Sequence, residues 1–326
     1  MDLAPVKEIF VTVTVEEVVA QIQEWCGKSV SAKPLSGGLT NSNYRVEVDG
    51  TPYFVRIPGA STELLAVDRA NEYYNTWAAG ETGVSPKVVH YLPDRNVMVL
   101  EFLRGDTMSI ARLQMPGNPA RMAQSLKKLH AGPRFRNDFN MFRLTEFYLA
   151  IADQHGVRIP EDYRSYLPRV ARIEAALAIR PLRTVPCNND LLAGNYIDDG
   201  QQLWLIDFEY SGNNDPCFEL GNTCQEQQFD DSRLSEMCAA YFGAAYPDKL
   251  ARMKLNMIMS DVGWTLWAAI QAKISTIEFD YWGWAAERWA RATAKMNSPE
   301  FETWLAEVAA AARFEVDSAP CSKSRP

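Results

Sequence analysis

The stretch P-C-N-N-D-L-L-A-G-N-Y-I-D-D-G-Q-Q-L-W-L-I-D-F-E-Y, residues 186–210, constrains this chain more than any other. Asp190 and Asn195 flank a loop-like Leu-Leu-Ala-Gly, and Asp198-Asp199-Gly200 marks a turn. An apolar strand over residues 203–206 follows and ends in Asp207-Phe208-Glu209. Phosphoryl transfer asks for a carboxylate that positions and deprotonates the attacking hydroxyl. It also asks for oxygen ligands to the Mg2+ ions that bridge the phosphates. One loop and one hairpin strand supply all of these groups here. D-x-x-x-x-N is common by chance and Asp-Asp-Gly is an ordinary turn. The apolar strand running into I-D-F-E is what makes the combination specific.

The phrases N-D-L-L-A-G-N, L-I-D-F-E-Y-S and E-L-G-N resemble the catalytic and Mg2+-binding motifs of the choline/ethanolamine kinase family. That family lies within the aminoglycoside-phosphotransferase and protein-kinase-like superfamily. The resemblance implies that Asp190 is the catalytic base, that Asn195 and Asp207 hold Mg2+, and that Glu209 is either a further carboxylate of the metal site or one that supports its ligands. It departs from the family at one position. The histidine expected two residues before the catalytic aspartate, where it braces the loop, is Asn188. An asparagine amide can still donate and accept hydrogen bonds there, but it differs in shape and cannot titrate.

The N-terminal third extends the pattern. Leu35-Ser36-Gly37-Gly38-Leu39-Thr40-Asn41-Ser42-Asn43 precedes a strand, and its glycines and small polar residues would let backbone N–H groups approach phosphates. Gly27-Lys28-Ser29 is a decoy, because the upstream glycine of a Walker loop is Ile22. The resemblance places Arg56, in Y-F-V-R-I-P, where kinases carry their phosphate-binding lysine, with Glu72 on the next helix as its partner. A surface salt bridge between the two is the plainer alternative. It also places Glu101 and Leu103 in the segment joining two lobes, where backbone groups would pair with adenine.

Trp264 and Trp267 are three residues apart and share a helix face, and Tyr281 lies beyond that helix. Aromatics at helical spacing are most often core. The run W-x-x-W-A-A-I-Q-A-K-I-S-x-I-E-F-x-Y, however, is very similar to the choline-site segment of choline kinases. It implies a cage of Trp264, Trp267 and Tyr281 around a quaternary ammonium, held by cation–π attraction. Glu226 falls where the family sets a carboxylate near that cation, while Trp282 and Trp284 are read as packing.

Along the chain, helical periods cover residues 13–25, 68–79, 119–130, 144–155, 163–178 and most of 234–312. Strands are expected over 43–48 and 52–57, joined by Asp49-Gly50, and over 88–91 and 96–101. The expected architecture is α+β: a protein-kinase-like, two-lobed fold with a small antiparallel-sheet lobe and a large α-helical lobe. Residues 1–103 would form the nucleotide-binding lobe, 104–316 the catalytic and substrate-binding lobe, and 317–326 a polar, frayed tail.

The net charge of −8 argues against a nucleic-acid or anionic-membrane surface. No long apolar run announces a leader or a membrane span. The six cysteines form no C-x-x-C pair, and His90, His130 and His155 show no ligand spacing, so reduced cysteines in a cytoplasmic protein are expected. His130, in L-H-A-G-P, reads as a capping or packing residue.

The expected activity is transfer of the γ-phosphoryl of ATP, with Mg2+, to the hydroxyl of choline. Ethanolamine or an aminoglycoside as acceptor stays open, as does a homodimer. So does an impaired relative that senses choline or nucleotide, because of Asn188.

Overall fold

The computed structural model describes residues 13–35, 41–59 and 62–310. The Thr14 side chain caps α1 (Val15–Gln21) and exchanges hydrogen bonds with Glu17 in a capping box. The single helix expected over residues 13–25 divides. Ile22 turns to an extended conformation, and a 3-10 turn, Gln23–Trp25, follows. The break drops Ile22 and Trp25 into one apolar cluster with Val15 and Val18.

That cluster covers one face of an antiparallel five-stranded sheet made of β1 (Val30–Leu35), β2 (Asn41–Val48), β3 (Thr51–Pro58), β4 (Val88–Leu92) and β5 (Val97–Glu101). The strand order is β1-β2-β3-β5-β4. Asp49 (φ 48°) and Gly50 (φ 81°) both take positive φ, as an Asp-Gly hairpin requires. Alternation along β3 sends Val55 and Ile57 to the covered face and Arg56 to the other. α2 (Arg69–Gly80), capped by the Asp68 carboxylate on the amides of Ala70 and Asn71, carries Glu72 in its first turn.

Beyond β5 the chain enters the helical lobe through β6 (Asp106–Thr107) and α3 (Ile110–Leu113). α4 (Asn118–His130), α5 (Met141–His155) and α6 (Leu167–Ile179) follow, the last preceded by a 3-10 turn at Tyr163–Tyr166. The island read as catalytic then forms β7 (Val185–Cys187), β8 (Tyr196–Asp198), β9 (Leu203–Leu205) and β10 (Gly212–Asn214). β6-β8-β9 make one small sheet and β10-β7 another.

Five helices complete the lobe: α7 (Pro216–Glu226), α8 (Asp231–Phe242), α9 (Pro247–Ile274), α10 (Tyr281–Met296) and α11 (Glu300–Ala310). α9 is the axis, nearly all buried from Ala251 to Gln271, with α5, α7, α10 and α11 against it. No helix was expected at α7. It is buried all round, so it has no polar stripe to set a helical period. Gly221 explains how it sits so close to α9. A Cβ there would lie 2.5 Å from the Met253 carbonyl oxygen.

Candidate active site

The loop after β7 is held by one buried carboxylate. Glu219 Oε1 on α7 accepts the backbone N–H of Asn188 (2.5 Å) and of Asn189 (2.9 Å). Its Oε2 sits 2.5 Å from His130 Nε2 at the end of α4. His130 Nδ1 is in turn 2.7 Å from the Tyr241 hydroxyl. His130 is thus a bracing residue, in line with its reading as packing.

Asn188 performs the bracing expected of a histidine at its position. Its Nδ2 donates to the carbonyls of Ile206 (3.2 Å) and Asp207 (2.7 Å), and its Oδ1 accepts the Asp190 N–H (3.0 Å). The loop bearing Asp190 and the end of the β9 strand are therefore tied through one amide. Replacing Asn188 with alanine orphans buried groups on both sides and is expected to cost about 2–3 kcal/mol. A denaturation midpoint measured with turnover checks this; an unchanged midpoint would rule out the tie.

Asn195 Nδ2 donates to the Asp190 carbonyl at 2.7 Å, which turns its Oδ1 the other way. Asp207 adopts φ 63°, a left-handed conformation. Its Oδ1 is buried and lies 3.1 Å from Arg56 Nη1, yet it has no well-aligned hydrogen bond among the described residues. An amide oxygen and carboxylate oxygens are hard donors that fit Mg2+.

Around Asp207 lies a buried charge cluster. Arg56 Nη1 is 2.6 Å from Glu72 Oε1, and Nη2 is 3.0 Å from Glu209 Oε2. Arg69 Nη1 reaches the other Glu72 oxygen at 2.6 Å. With side chains 8% and 2% exposed, the Arg56–Glu72 pair is not a surface salt bridge. Asn41 Nδ2 also donates to Glu209 Oε2, at 3.3 Å.

Burial, then Asp207, lifts the Glu209 carboxyl to about 7 against the pull of Arg56. Burial likewise pushes the Asp190 carboxyl well above the usual range, with Asp207, Glu226 and Glu209 adding to it and Arg288 opposing. Crowded carboxylates of this kind favour a bound cation. Gly37, Gly38 and Thr40 lie outside the described residues.

One cavity of about 590 Å3 joins the two ends of the site. Toward the sheet it is bordered by Arg56, Met98, Leu100, Glu101 and Leu103; toward the helices, by Asp190, Tyr210, Trp264, Trp267, Trp284 and Arg288. Trp267 Nε1 donates to the Tyr210 hydroxyl (2.7 Å) and Trp264 Nε1 to Asn222 Oδ1 (3.2 Å), which fixes both rings.

Two of the residues expected at the cage do not border this cavity. Tyr281 is 3% exposed and packs its edge against Trp267, with centroids 6.1 Å apart. Glu226 gives both oxygens to Arg288, at 2.5 and 2.7 Å. Three residues that the sequence reading did not place at the site border the cavity instead. Tyr210 sits within the E-Y-S phrase, and Trp284 and Arg288 follow Tyr281 by three and seven residues on one face of α10. That spacing was visible in the sequence.

The choline/ethanolamine kinase family model matches residues 32–240. A choline/ethanolamine kinase family protein from Mesorhizobium loti is 35% identical, with a TM-score of 0.80 over 90% of this chain and 98% of that one. Choline kinase LicA from Streptococcus pneumoniae is 25% identical, with a TM-score of 0.72 over 86% and 98%. Mouse ethanolamine kinase 2 is 28% identical over 298 residues, 81% of this chain and 76% of its own. The two-lobed, protein-kinase-like architecture, the braced loop bearing Asp190 and these matches agree: the chain belongs to the choline/ethanolamine kinase family and is a phosphotransferase with an alcohol as acceptor.

Proposed function

We propose that the protein transfers the γ-phosphoryl group of ATP to the hydroxyl of a small quaternary-ammonium alcohol, of which choline is the simplest. The observation that carries this reading is a single cavity with Trp264 and Trp267 and the Asp190 carboxylate at one end and Glu101 and Leu103 at the other. A trimethylammonium group lies against indole faces without needing hydrogen bonds. A primary ammonium needs oxygen acceptors, and Glu226 is engaged by Arg288. Choline is therefore favoured over ethanolamine.

In this reading Asp190 orients the acceptor hydroxyl and takes its proton as the bond to phosphorus forms. Arg56, held by Glu72, would steady the phosphates by its charge. Asn195 and Asp207 would hold Mg2+, with Glu209 beside them; the ion supplies charge neutralisation at the phosphates. Gly37, Gly38, Thr40 and Asn41 would contribute to binding the nucleotide. Glu101 and Leu103 would meet adenine. Residues 1–103 thus serve the nucleotide and 104–316 the acceptor. Cytoplasmic residence, where ATP is at hand, goes with this reading. None of the described helices is long and apolar enough to cross a membrane.

The test is ADP release from Mg-ATP with choline, ethanolamine, an aminoglycoside or no acceptor. Choline-dependent turnover is expected, with kcat/KM for ethanolamine lower by about ten-fold or more, as for loss of a packed apolar contact. Equal or better use of ethanolamine would remove the choline assignment. Tight binding of choline or nucleotide without any ADP would favour the sensor.

A further inference from the structure

α2 falls between β3 and β4 in the chain, yet much of what holds it comes from the helical lobe. Ahead of it, the Tyr148 hydroxyl of α5 donates to the Leu65 carbonyl at 2.9 Å. Its own Ala78 and Ala79 are buried in one apolar cluster with Leu126, Leu205 and Phe208. Behind it, the Leu205 N–H of β9 donates to the Val84 carbonyl at 2.7 Å. Toward the sheet it offers the Glu72–Arg56 pair and a stack of Tyr73 on Tyr91, with centroids 3.7 Å apart.

The middle of the helix is tied by one amide that the reaction does not use. Asn75 is fully buried. Its Nδ2 donates toward Asn137 Oδ1 (2.8 Å), Ser211 Oγ (3.0 Å) and the Ser211 carbonyl (3.2 Å), and its Oδ1 accepts the Arg136 N–H (3.0 Å). Asn137 Nδ2 donates to the same Ser211 carbonyl at 3.1 Å. The receiving surface is laced together as well. Asn213 Nδ2 donates to the carbonyls of Phe135 (2.8 Å) and Asn137 (2.7 Å), and a Cβ at Gly212 would lie 2.9 Å from Asn137 Nδ2.

Asparagine is a poor helix former, and burying its amide gains little net stability. What it adds is direction. Hydrogen bonds at these distances fix the rotation and height of a helix, which apolar packing alone leaves adjustable. Glu72 stands three residues before Asn75, on the same face of α2. Ser211 stands two residues after Glu209, and its Oγ donates to the Phe208 carbonyl at 2.5 Å. The segment 207–211 is therefore held twice from one helix. Glu72 reaches it through Arg56, which is 3.1 Å from Asp207 and 3.0 Å from Glu209, and Asn75 reaches it through Ser211.

We propose that Asn75 is a positioning residue of the phosphoryl-transfer site. By locking α2 onto Ser211 it sets where the Glu72 carboxylate, and with it the Arg56 guanidinium, stands relative to Asp207. This assignment rests on the kinase reading for the role of Arg56 at the phosphates, but nucleotide affinity measures it apart from turnover.

Asn75→Ala is expected to weaken Mg-ADP binding in calorimetry by about ten-fold and to raise KM for ATP by a similar factor, while KM for the acceptor stays within about two-fold. Asn137→Ala leaves α2 itself unaltered and removes one arm of the anchor from a half-buried residue. It should shift the same two quantities by about three-fold. Ser125→Ala, on α4, deletes a buried hydrogen bond to the Leu203 carbonyl outside this network, and should lower the denaturation midpoint without moving either quantity. A double-mutant cycle with Glu72→Gln then tests the route. If Asn75 acts through the Glu72–Arg56 pair, adding Asn75→Ala to Glu72→Gln changes Mg-ADP affinity by about two-fold or less. The cycle is run with Asn137→Ala if Asn75→Ala does not fold. Unchanged Mg-ADP affinity in the folded single variants, an equal shift in Ser125→Ala, or full additivity in the cycle would each overturn the assignment. Failure of every acceptor to release ADP would instead sink the kinase reading, and Mg-ADP affinity would still decide the role of Asn75.

Discussion

Replacing Asp190 with asparagine is expected to lower acceptor-dependent ADP release by about 10^3-fold, within the range for loss of a positioned general base. The fold should be indifferent to the change. The loop at this position is held by main-chain groups, the Asp190 N–H on Asn188 and the Asp190 carbonyl under Asn195. The carboxylate itself is charged at a cost, since burial and three neighbouring carboxylates raise its pKa. A carboxyl with a raised pKa stabilises less as pH rises above its unfolded value, so at neutral pH the neutral amide should leave stability equal or slightly higher. Steady-state kinetics and a denaturation curve on the same preparation check both halves. A kcat within about ten-fold of the parent would remove Asp190 from the role of base.

Arg56→Met carries the second large effect, on stability as well as turnover. The guanidinium touches Glu72, Asp207 and Glu209, and its own charge is favoured because these three outweigh the penalty of burial. Removing it leaves buried carboxylates with Arg69 as the nearest remaining cation. Breaking a buried pair from one side costs about 3–5 kcal/mol. The urea midpoint should fall accordingly, and kcat/KM for ATP should drop by about 10^2-fold or more if the arginine steadies the phosphates. Arg56→Lys should recover part of the stability and part of the effect on the phosphates, because one ammonium keeps the charge but cannot reproduce the fork. A loss below about 1 kcal/mol in Arg56→Met would mean that the cluster behaves as a solvated surface network.

Much of the fold was legible because its signals are local. Asp49-Gly50 demands positive φ at two adjacent residues, and that demand alone sets the β2–β3 hairpin. Asp68 ahead of the helical period marks the start of α2, and the structure puts its carboxylate on the first amides. β1 was missed because it is an edge strand, exposed over most of its length and carrying Pro34. The break at Ile22 was missed because residues 13–25 hold a helical period across it. The chain leaves the helix there to bring Trp25 onto the sheet, and a period cannot report a contact with strands further along.

The site divides along the same line. The sequence by itself determined the chemistry that one loop or one helix face can carry. Asp190 and Asn195 share a short loop, Asp207 and Glu209 end a strand, and Trp264 and Trp267 share a face of α9. Tertiary structure decided how the buried charges pair. Arg56 meets Glu209 across 153 residues, and Arg288 takes Glu226 from across 62 residues. It also decided that Trp284, rather than Tyr281, borders the cavity. The physical reason is common to all three. A side chain's partner in a low-dielectric interior is set by which elements crowd around it and what they leave unsatisfied. That balance is made by packing between distant segments, and no local spacing carries it.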